Sequence, residues 1–295
     1  MIEVREVFFS YPSRGGPPRA VFTGLNLTVP QGAYVALMGP NGSGKSTLGK
    51  LIKGLLTPGA GEVWIGGRPL KPGEISSQVG YIFANPENQI LSSVVEEDVA
   101  FELENIGLDP AEMERRVGES LRWVEMEAYR RHSPHRLSGG QQQKVVLAGA
   151  LARGSEVLVL DEPTSMLDLR ARKEILDLLE KLQREGRRTV LHITHSWEEA
   201  MRASQFVYLD RGRILFFGPW ENFLSGPWLS ESLSLDLPSF LKIVRGLRRL
   251  GHPVPTGIRS EEDLKRFLLS PENQPSLPQS SDPVAARWIP SEPKP

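Results

Sequence analysis

The 295-residue chain contains no cysteine. Disulfide bonds, cysteine-ligated zinc and thiol catalysis are therefore excluded, and the composition fits a cytosolic protein. The chain also lacks any apolar run of roughly 18 residues or more, so we do not expect it to cross a membrane by itself. Its formal net charge of −1 provides no general attraction to nucleic acid, and we expect no nucleic-acid partner.

What the chain does contain is typical of a globular protein. Hydrophobic residues make up 39% and charged residues 24% of the sequence, which is enough to build a core. We predict one large domain over residues 1–220, with a mainly helical part from about 88 to 150. A small helical extension is expected over residues 221–270. Residues 271–295 are rich in proline and serine and are expected to form a disordered tail.

One glycine-rich segment carries the strongest chemical signal in the chain. The apolar residues Tyr34–Met38 precede it and predict a buried strand, and residues 46–56 follow it with helical spacing of apolar residues. Such a strand–loop–helix unit turns backbone N–H groups and the positive end of a helix dipole toward phosphate. Lys45 would reach the β- and γ-phosphates, and the Ser46 hydroxyl would bind Mg²⁺. The segment predicts a nucleoside triphosphate site made of Gly39, Pro40, Asn41, Gly42, Ser43, Gly44, Lys45, Ser46 and Thr47.

Strands and helices alternate around this segment, which predicts an α/β fold with a mostly parallel sheet. Asp109 and Pro110 supply an N-cap and a first-turn proline for one of the helices. Further strands are expected at 4–9, 20–29, 61–65, 79–83, 157–160, 189–194, 206–210 and 213–217. Further helices are expected at 93–106, 110–124, 140–151, 169–183, 197–202, 238–250 and 260–269.

The glycine-rich segment 39–47 fits the pattern of a P-loop, and four further motifs follow it in a set order. Residues 137–141 read Leu-Ser-Gly-Gly-Gln, and the apolar run 157–160 leads into Asp161 and Glu162. Residues 165–168 read Ser-Met-Leu-Asp, and His195 closes the next apolar run. Over about residues 1–220 this ordered set resembles the nucleotide-binding subunit of ABC transporters. The resemblance implies a P-loop NTPase core of the RecA type with an antiparallel β subdomain and a helical subdomain.

The resemblance also implies roles at the ATP site. Asp161 would hold Mg²⁺ through water, Glu162 would polarise the attacking water as general base, and His195 would contact the γ-phosphate. Tyr11 follows the first predicted strand, at the position whose ring stacks on adenine in this family. A strand-end aromatic packed in the core is the alternative interpretation of Tyr11. The implied activity is ATP hydrolysis, with ATP and Mg²⁺ as the bound species.

The Leu-Ser-Gly-Gly-Gln motif at residues 137–141 has a different implied role. Ser138, Gly139, Gly140 and Gln141 would open a helix and form a second anion site that cannot fold back onto the P-loop of the same chain. In the family this site faces the γ-phosphate held by a second subunit, so two subunits enclose two ATP molecules head to tail. Asp168 would lie at that interface. The resemblance therefore implies a second ATPase subunit as a partner.

The segment after the fifth predicted strand narrows the resemblance. Residues 85–89 read Asn-Pro-Glu-Asn-Gln. This run and the helical extension are similar to the ATPases of energy-coupling factor (ECF) transporters, including cobalt and nickel importers. The similarity implies a peripheral subunit at the cytoplasmic face of the cell membrane that powers uptake of a vitamin or transition-metal ion. Its partners would be a transmembrane T-type component and a substrate-capturing S-type component. An ABC exporter ATPase for lipids or drugs, and a soluble ABC-fold ATPase not linked to transport, are the alternatives.

One position departs from the family pattern. Ala84 stands where the family usually has a glutamine whose amide contacts Mg²⁺ or water, and alanine can do neither. Gln89 lies five residues on and is not expected to substitute. The hypothesis is that the coupling of this ATP site is weakened and that the partner is a non-identical, complete ATPase. The acidic run 96–98 suits a basic coupling helix of a membrane subunit, although a solvated helix face is the simpler interpretation.

Overall fold

The computed structural model describes residues 1–13, 15–104, 106–185, 188–223, 237–255 and 257–270. The predicted disordered tail and part of the predicted extension, residues 224–236, lie outside these ranges. The strands are, in chain order, β1 (Ile2–Tyr11), β2 (Arg19–Val29), β3 (Tyr34–Met38), β4 (Ala60–Ile65), β5 (Arg68–Pro69), β6 (Val79–Ile82), β7 (Val157–Asp161), β8 (Thr189–Ile193), β9 (Gln205–Asp210) and β10 (Arg213–Gly218).

The helices lie near the predicted positions, apart from α7 (Trp220–Phe223), for which no helix was predicted. They are α1 (Lys45–Lys53), α2 (Val95–Glu104), α3 (Pro110–Trp123), α4 (Gly139–Ala152), α5 (Leu169–Arg184), α6 (Trp197–Ala200), α7 (Trp220–Phe223), α8 (Ser239–Arg249) and α9 (Glu261–Leu269). Among these helices of the described residues, none has the length and hydropathy that crossing a membrane requires.

A six-stranded sheet forms the centre of the fold, in the spatial order β10, β9, β3, β8, β7, β6. The five strands from β9 to β6 pair in parallel, and β10 pairs with β9 as an antiparallel hairpin. Every residue of β3 and β8 is buried, as expected for parallel strands covered on both faces. The carboxyl ends of β3, β6, β7 and β8 therefore meet at one edge, where open α/β sheets place their ligands.

A second sheet is antiparallel and has the order β2, β1, β4, β5. Its buried side chains form one hydrophobic core together with α1 and one face of the central sheet. That face includes Val35 and Leu37 of β3. The alternate residues of β3, such as Tyr34 and Ala36, face a second core shared with the remaining helices. Because successive strand residues point to opposite faces, one short strand supplies both cores.

Local signals explain where several helices begin and end. Asp109 accepts a hydrogen bond from the Ala111 N–H, with Pro110 in the first turn, so the predicted N-cap of α3 is confirmed. α1 ends at Lys53 rather than at 56, because Gly54 takes a left-handed conformation with φ of 85° and closes the helix. Ser260 caps α9 by accepting from the Asp263 N–H at 3.1 Å.

Candidate active site

The P-loop joins β3 to α1, and two of its glycines have no room for a side chain. A Cβ atom on Gly39 would lie 1.9 Å from the Leu209 carbonyl oxygen, and one on Gly44 would lie 2.8 Å from the Phe22 ring. Both glycines also have positive φ, 152° and 110°. Ser43 lies between them, donates its N–H to the Pro40 oxygen and accepts from the Gly212 N–H, which anchors the loop to the β9–β10 turn.

Lys45 is the first residue of α1 and bends back over the loop. Its Nζ donates to the carbonyl oxygens of Gly39 at 2.8 Å and Pro40 at 3.1 Å. Burial lowers the pKa of Lys45, and the nearby carboxylates of Glu162 and Asp161 oppose that shift. The ammonium group therefore lies between the loop backbone and two acids, next to the N–H groups of the first helical turn, which have no acceptor within the helix.

A cavity of about 450 Å³ opens beside this loop. It brings together most of the predicted P-loop residues with three side chains from distant parts of the chain: Tyr11, Glu162 and His195. Tyr11 is the last residue of β1, and its hydroxyl lies 3.2 Å from Thr47 Oγ1. Arg19 and Arg211 also line the cavity and were not predicted. Each stands at a strand boundary, and no motif in the sequence marks it.

Asp161 lies at the carboxyl end of β7, where both of its carboxylate oxygens are held. Ser46 Oγ donates to Oδ1 at 3.0 Å, and the Tyr81 hydroxyl donates to Oδ2 at 2.7 Å. Burial raises the pKa of Tyr81, and the Asp161 charge raises it further, so the phenol stays protonated and serves as a donor. Two oxygen-bearing side chains, Ser46 and Asp161, are the donor set that suits Mg²⁺. Tyr81 was missed because its proximity to Asp161 requires β6 to be the neighbour of β7.

Glu162 and His195 form a direct pair across the edge of the sheet. Glu162 Oε1 and His195 Nε2 are 2.7 Å apart, and both side chains are partly exposed, 34% and 41%. Glu162 has a positive φ of 55°, a conformation that costs a residue other than glycine about 1–3 kcal/mol. Its N–H donates to the Ile193 oxygen of the neighbouring β8. The Glu162 carboxylate can accept a hydrogen bond from a water molecule while it keeps its contact with the His195 imidazole. It can then take up a proton from that water as a general base.

The segment 138–141 lies away from this cavity. Ser138 caps α4: its hydroxyl accepts from the Gln141 N–H at 3.4 Å, and the Gln141 side chain accepts from the Ser138 N–H at 3.0 Å. Ser138 and Gly139 are exposed, whereas Gly140 is buried against Ala171 of α5. The N-termini of α4 and α5 therefore lie side by side on the surface.

Asp168 has a local role at the second of these N-termini. Its Oδ1 accepts from the Ala171 N–H at 2.8 Å and caps α5. Its neighbours Met166 and Leu169 are 67% and 81% exposed, which is unusual for apolar side chains of this size. The predicted second anion site and the segment 165–168 thus share one exposed face.

The segment after β6 holds Ala84 half-buried, with Gln89 folded back beneath it. Gln89 Oε1 accepts from the Phe83 N–H at 2.7 Å, and its Nε2 donates to the Tyr81 oxygen at 2.9 Å. The amide is thus used to extend the end of β6. The Gln89 amide therefore bonds to the backbone next to Ala84.

The interpretation of residues 96–98 as a solvated helix face is wrong for two of the three. Glu96 is paired with Arg130 and Arg131 and is only 13% exposed. Asp98 accepts from the N–H groups of Leu91 and Ser92 at 2.7 and 3.0 Å. Of the three, Glu97 is the one that is exposed. Glu96 and Asp98 stabilise the start of α2 because their side chains reach loops that the helical pattern does not reveal.

Comparisons with known proteins identify the family of the chain. The ABC transporter family model matches residues 22–165. The EcfA1 ATP-binding protein of the energy-coupling factor transporter of Geobacillus kaustophilus is 40% identical over 272 residues, 91% of this chain and 96% of the relative. The corresponding protein of Symbiobacterium thermophilum is 43% identical over 264 residues, 88% of this chain and 92% of the relative.

Solved structures give the same answer. The chain is similar to cbiO1 of Clostridium perfringens, described as part of the ABC transporter complex cbiONQ, with a TM-score of 0.70 and 28% identity over 82% of this chain and 98% of the other. It is also similar to the ATP-binding cassette MJ0796, solved as a dimer bound to ADP and Pi, with a TM-score of 0.66 and 31% identity over 74% of this chain and 98% of the other. The predicted α/β P-loop fold is confirmed. The chain belongs to the ABC transporter ATPases, within the family of energy-coupling factor transporter ATP-binding proteins.

Proposed function

We propose that this ATPase subunit powers an importer of the ECF type, which takes up a vitamin or a transition-metal ion through a membrane complex. The observation that carries the ATP-hydrolysing part of the proposal is the 2.7 Å contact between Glu162 and His195 at the mouth of the P-loop cavity. A pure nucleotide-binding module has no need of a carboxylate in a strained conformation at the mouth of that cavity. The family relationship supports the link to transport.

ATP binds with its phosphates on the P-loop and its base against Tyr11. Lys45 and the N–H groups at the start of α1 neutralise the β- and γ-phosphates, and Arg19 and Arg211 add positive charge at the rim of the cavity. Ser46 and Asp161 would hold Mg²⁺, which would supply charge neutralisation at the phosphate oxygens. Their hydroxyl and carboxylate oxygens, already 3.0 Å apart, fit such an ion.

Hydrolysis needs a water molecule aimed at the γ-phosphate. Glu162 accepts the proton of that water, and His195 keeps the carboxylate and the phosphate in register. The partner subunit completes the site, because phosphoryl transfer depends on positioning and on charge stabilisation from all sides. Ser138, Gly139 and Asp168 lie on the exposed face that meets the partner. The exposed apolar residues Met166 and Leu169 give this face something to bury.

The complete assembly contains a second ATPase, a transmembrane T-type component and a substrate-capturing S-type component, with this chain at the cytoplasmic face of the cell membrane. Ala84 makes a non-identical second ATPase the preferred partner, since a site without the loop glutamine is best paired with a complete one. The solute is chosen by the substrate-capturing component. The residues of this chain therefore do not select the solute.

The ATPase part of the proposal is tested with Glu162→Gln in the purified membrane complex. Loss of the general base lowers the rate of ATP hydrolysis by about 10²–10⁴-fold while ATP binding is retained. Glu198→Gln is the matched control, because Glu198 is exposed one turn beyond the site. Hydrolysis by Glu162→Gln at the wild-type rate would refute the catalytic assignment.

The transport part is tested by reconstituting the complex in lipid vesicles. We expect ATP supplied on the side of this subunit to drive uptake of one labelled vitamin or of Co²⁺ or Ni²⁺, and the Glu162→Gln complex to bind that solute without accumulating it. Outward movement of lipid or drug instead would favour the exporter alternative. A chain that purifies without any membrane component would favour the ATPase not linked to transport.

A further inference from the structure

Glu199 is a buried carboxylate that the sequence analysis did not single out. It lies in α6, it is 3% exposed, and both of its oxygens accept short hydrogen bonds. Thr164 Oγ1 donates to Oε1 at 2.6 Å, and Thr194 Oγ1 donates to Oε2 at 2.6 Å. Both threonines are themselves buried, 2% and 3% exposed. A buried acid with both oxygens satisfied by hydroxyl groups is a costly arrangement that tolerates little movement.

The two threonines come from the two segments that carry the hydrolytic pair. Thr164 lies two residues after Glu162, and Thr194 lies immediately before His195. Glu199 therefore ties the end of β7 to the end of β8 on the inner side of the Glu162–His195 contact. The Ser196 N–H also donates to Thr194 Oγ1 at 3.0 Å, so the same hydroxyl orders the backbone that follows His195.

Two basic side chains also lie near Glu199. His192 Nε2 lies 3.4 Å from Oε2, and Arg172 Nε lies 3.6 Å from Oε1. His192 is fully buried, and its Nδ1 is 3.0 Å from the hydroxyl of Tyr34 in β3. The carboxylate thus has partners on α5, β8 and the loop after β7. A single side chain connects elements that are far apart in sequence.

This connection matters because Glu162 is in a conformation that its surroundings must enforce. A left-handed backbone at a residue other than glycine persists only where neighbouring contacts over-determine it. The proline and threonine that follow Glu162 are buried, and Thr164 is the residue of that segment whose side chain is fixed by Glu199. On the other strand, Thr194 fixes the residue that precedes His195.

We infer that Glu199 is a positioning residue for ATP hydrolysis: through Thr164 and Thr194 it sets the spacing between Glu162 and His195. It acts through these residues and lies outside the cavity that receives the phosphates. The inference rests on the proposed function of the Glu162–His195 pair. A displacement of about 1 Å at such a pair costs on the order of 10²-fold in rate.

The first test is Glu199→Gln in the complete membrane complex. The amide keeps the shape but turns one acceptor into a donor, which cannot receive a threonine proton. We expect kcat to fall at least about tenfold, with KM for ATP changed less than about twofold, because the ground-state contacts of ATP are untouched. Glu198→Gln, the exposed neighbour, should leave both parameters unchanged. A Glu199→Gln enzyme with wild-type kcat, or with raised KM alone, would overturn the inference.

The second test does not depend on whether Glu199→Gln folds. Thr164→Ser keeps the hydroxyl and should retain most of kcat, whereas Thr164→Val keeps the shape and should lose it; Thr194→Ser and Thr194→Val should behave alike. Equal losses in the Ser and Val variants would indicate packing alone and overturn the inference. Failure of the proposed function is seen separately: Glu162→Gln would then hydrolyse ATP normally. If only Glu162→Gln loses activity, the positioning role alone is wrong.

Discussion

At the scale of single residues, Asp161 shows how the fold prepares a site with very few atoms. One oxygen is held by a hydroxyl from α1, and the other by a phenol from β6. The Tyr81 ring is 6% exposed, so its hydroxyl has few other orientations open to it. A carboxylate fixed from both sides presents its remaining lone pairs in one direction, which lowers the entropy lost when a cation binds.

We predict that Tyr81→Phe weakens Mg²⁺ use. The lost hydrogen bond to a charged acceptor is worth about 1.5–3 kcal/mol at most, and only part of it reaches the metal. The Mg²⁺ concentration for half-maximal ATP hydrolysis should therefore rise by about threefold to tenfold at saturating ATP. Tyr208→Phe is a matched control, because Tyr208 is also 6% exposed on the same sheet. An unchanged Mg²⁺ titration would mean that Tyr81 serves only packing.

At the scale of elements, α4 and α5 approach so closely that one glycine separates them. A Cβ atom on Gly140 would lie 2.5 Å from Ala171 Cβ, far inside contact distance. A Cβ atom on Gly139 would lie 3.5 Å from Leu167 Cδ2, which is an ordinary contact. The two adjacent glycines therefore meet different demands: Gly140 permits helix packing, and Gly139 lies on the exposed face.

We predict that Gly140→Ala destabilises the protein by about 1–3 kcal/mol, the usual cost of overpacking. Gly139→Ala should change the free energy of unfolding much less. Because the clash is with one methyl group, Ala171→Gly combined with Gly140→Ala should recover part of the loss, giving a non-additive double-mutant cycle. Chemical denaturation of the four variants measures this. Additive effects would show that the two helices adjust independently.

At the scale of the whole molecule, a buried polar network crosses an otherwise apolar core. It runs from Tyr34 in β3 through His192 in β8 to Glu199 in α6. Burial raises the pKa of Glu199, but the nearby His192 and the hydrogen bonds from Thr164 and Thr194 outweigh it and lower the pKa to about 2. Folding therefore favours the ionised carboxylate, whose ordinary pKa is 4.5.

This shift gives the folded state a pH-dependent contribution. Because the folded-state pKa lies below the unfolded value, the contribution is fully present above about pH 4.5 and is lost as the pH falls toward about 2. Urea unfolding of wild type and Glu199→Gln should show a stability difference on the order of 3 kcal/mol near neutral pH that narrows below about pH 4. Glu198→Gln should show no such narrowing. A difference independent of pH would place the effect in packing.

Much of this protein was predictable from local sequence. The strand Tyr34–Met38, the P-loop and the N-caps Asp109 and Ser260 depend on residues that are neighbours along the chain. The ordered motifs led to the ABC transporter ATPase fold, which the comparisons confirm. The proposed roles of the site residues stay predictions.

The sequence alone determined the glycine-rich loop between β3 and α1, the alternation of strands and helices and the place of Asp161 and Glu162 at the end of a buried strand, because turn geometry, helix capping and side-chain period act over a few residues. Only the tertiary structure decided that Tyr81 donates to Asp161. It also decided that Glu96 and Asp98 bind to neighbouring segments at the start of α2. The contact of Glu199 with Thr164 and Thr194 likewise depends on it. Those contacts depend on strand order and helix docking, which the burial of two hydrophobic cores sets over long separations in the chain.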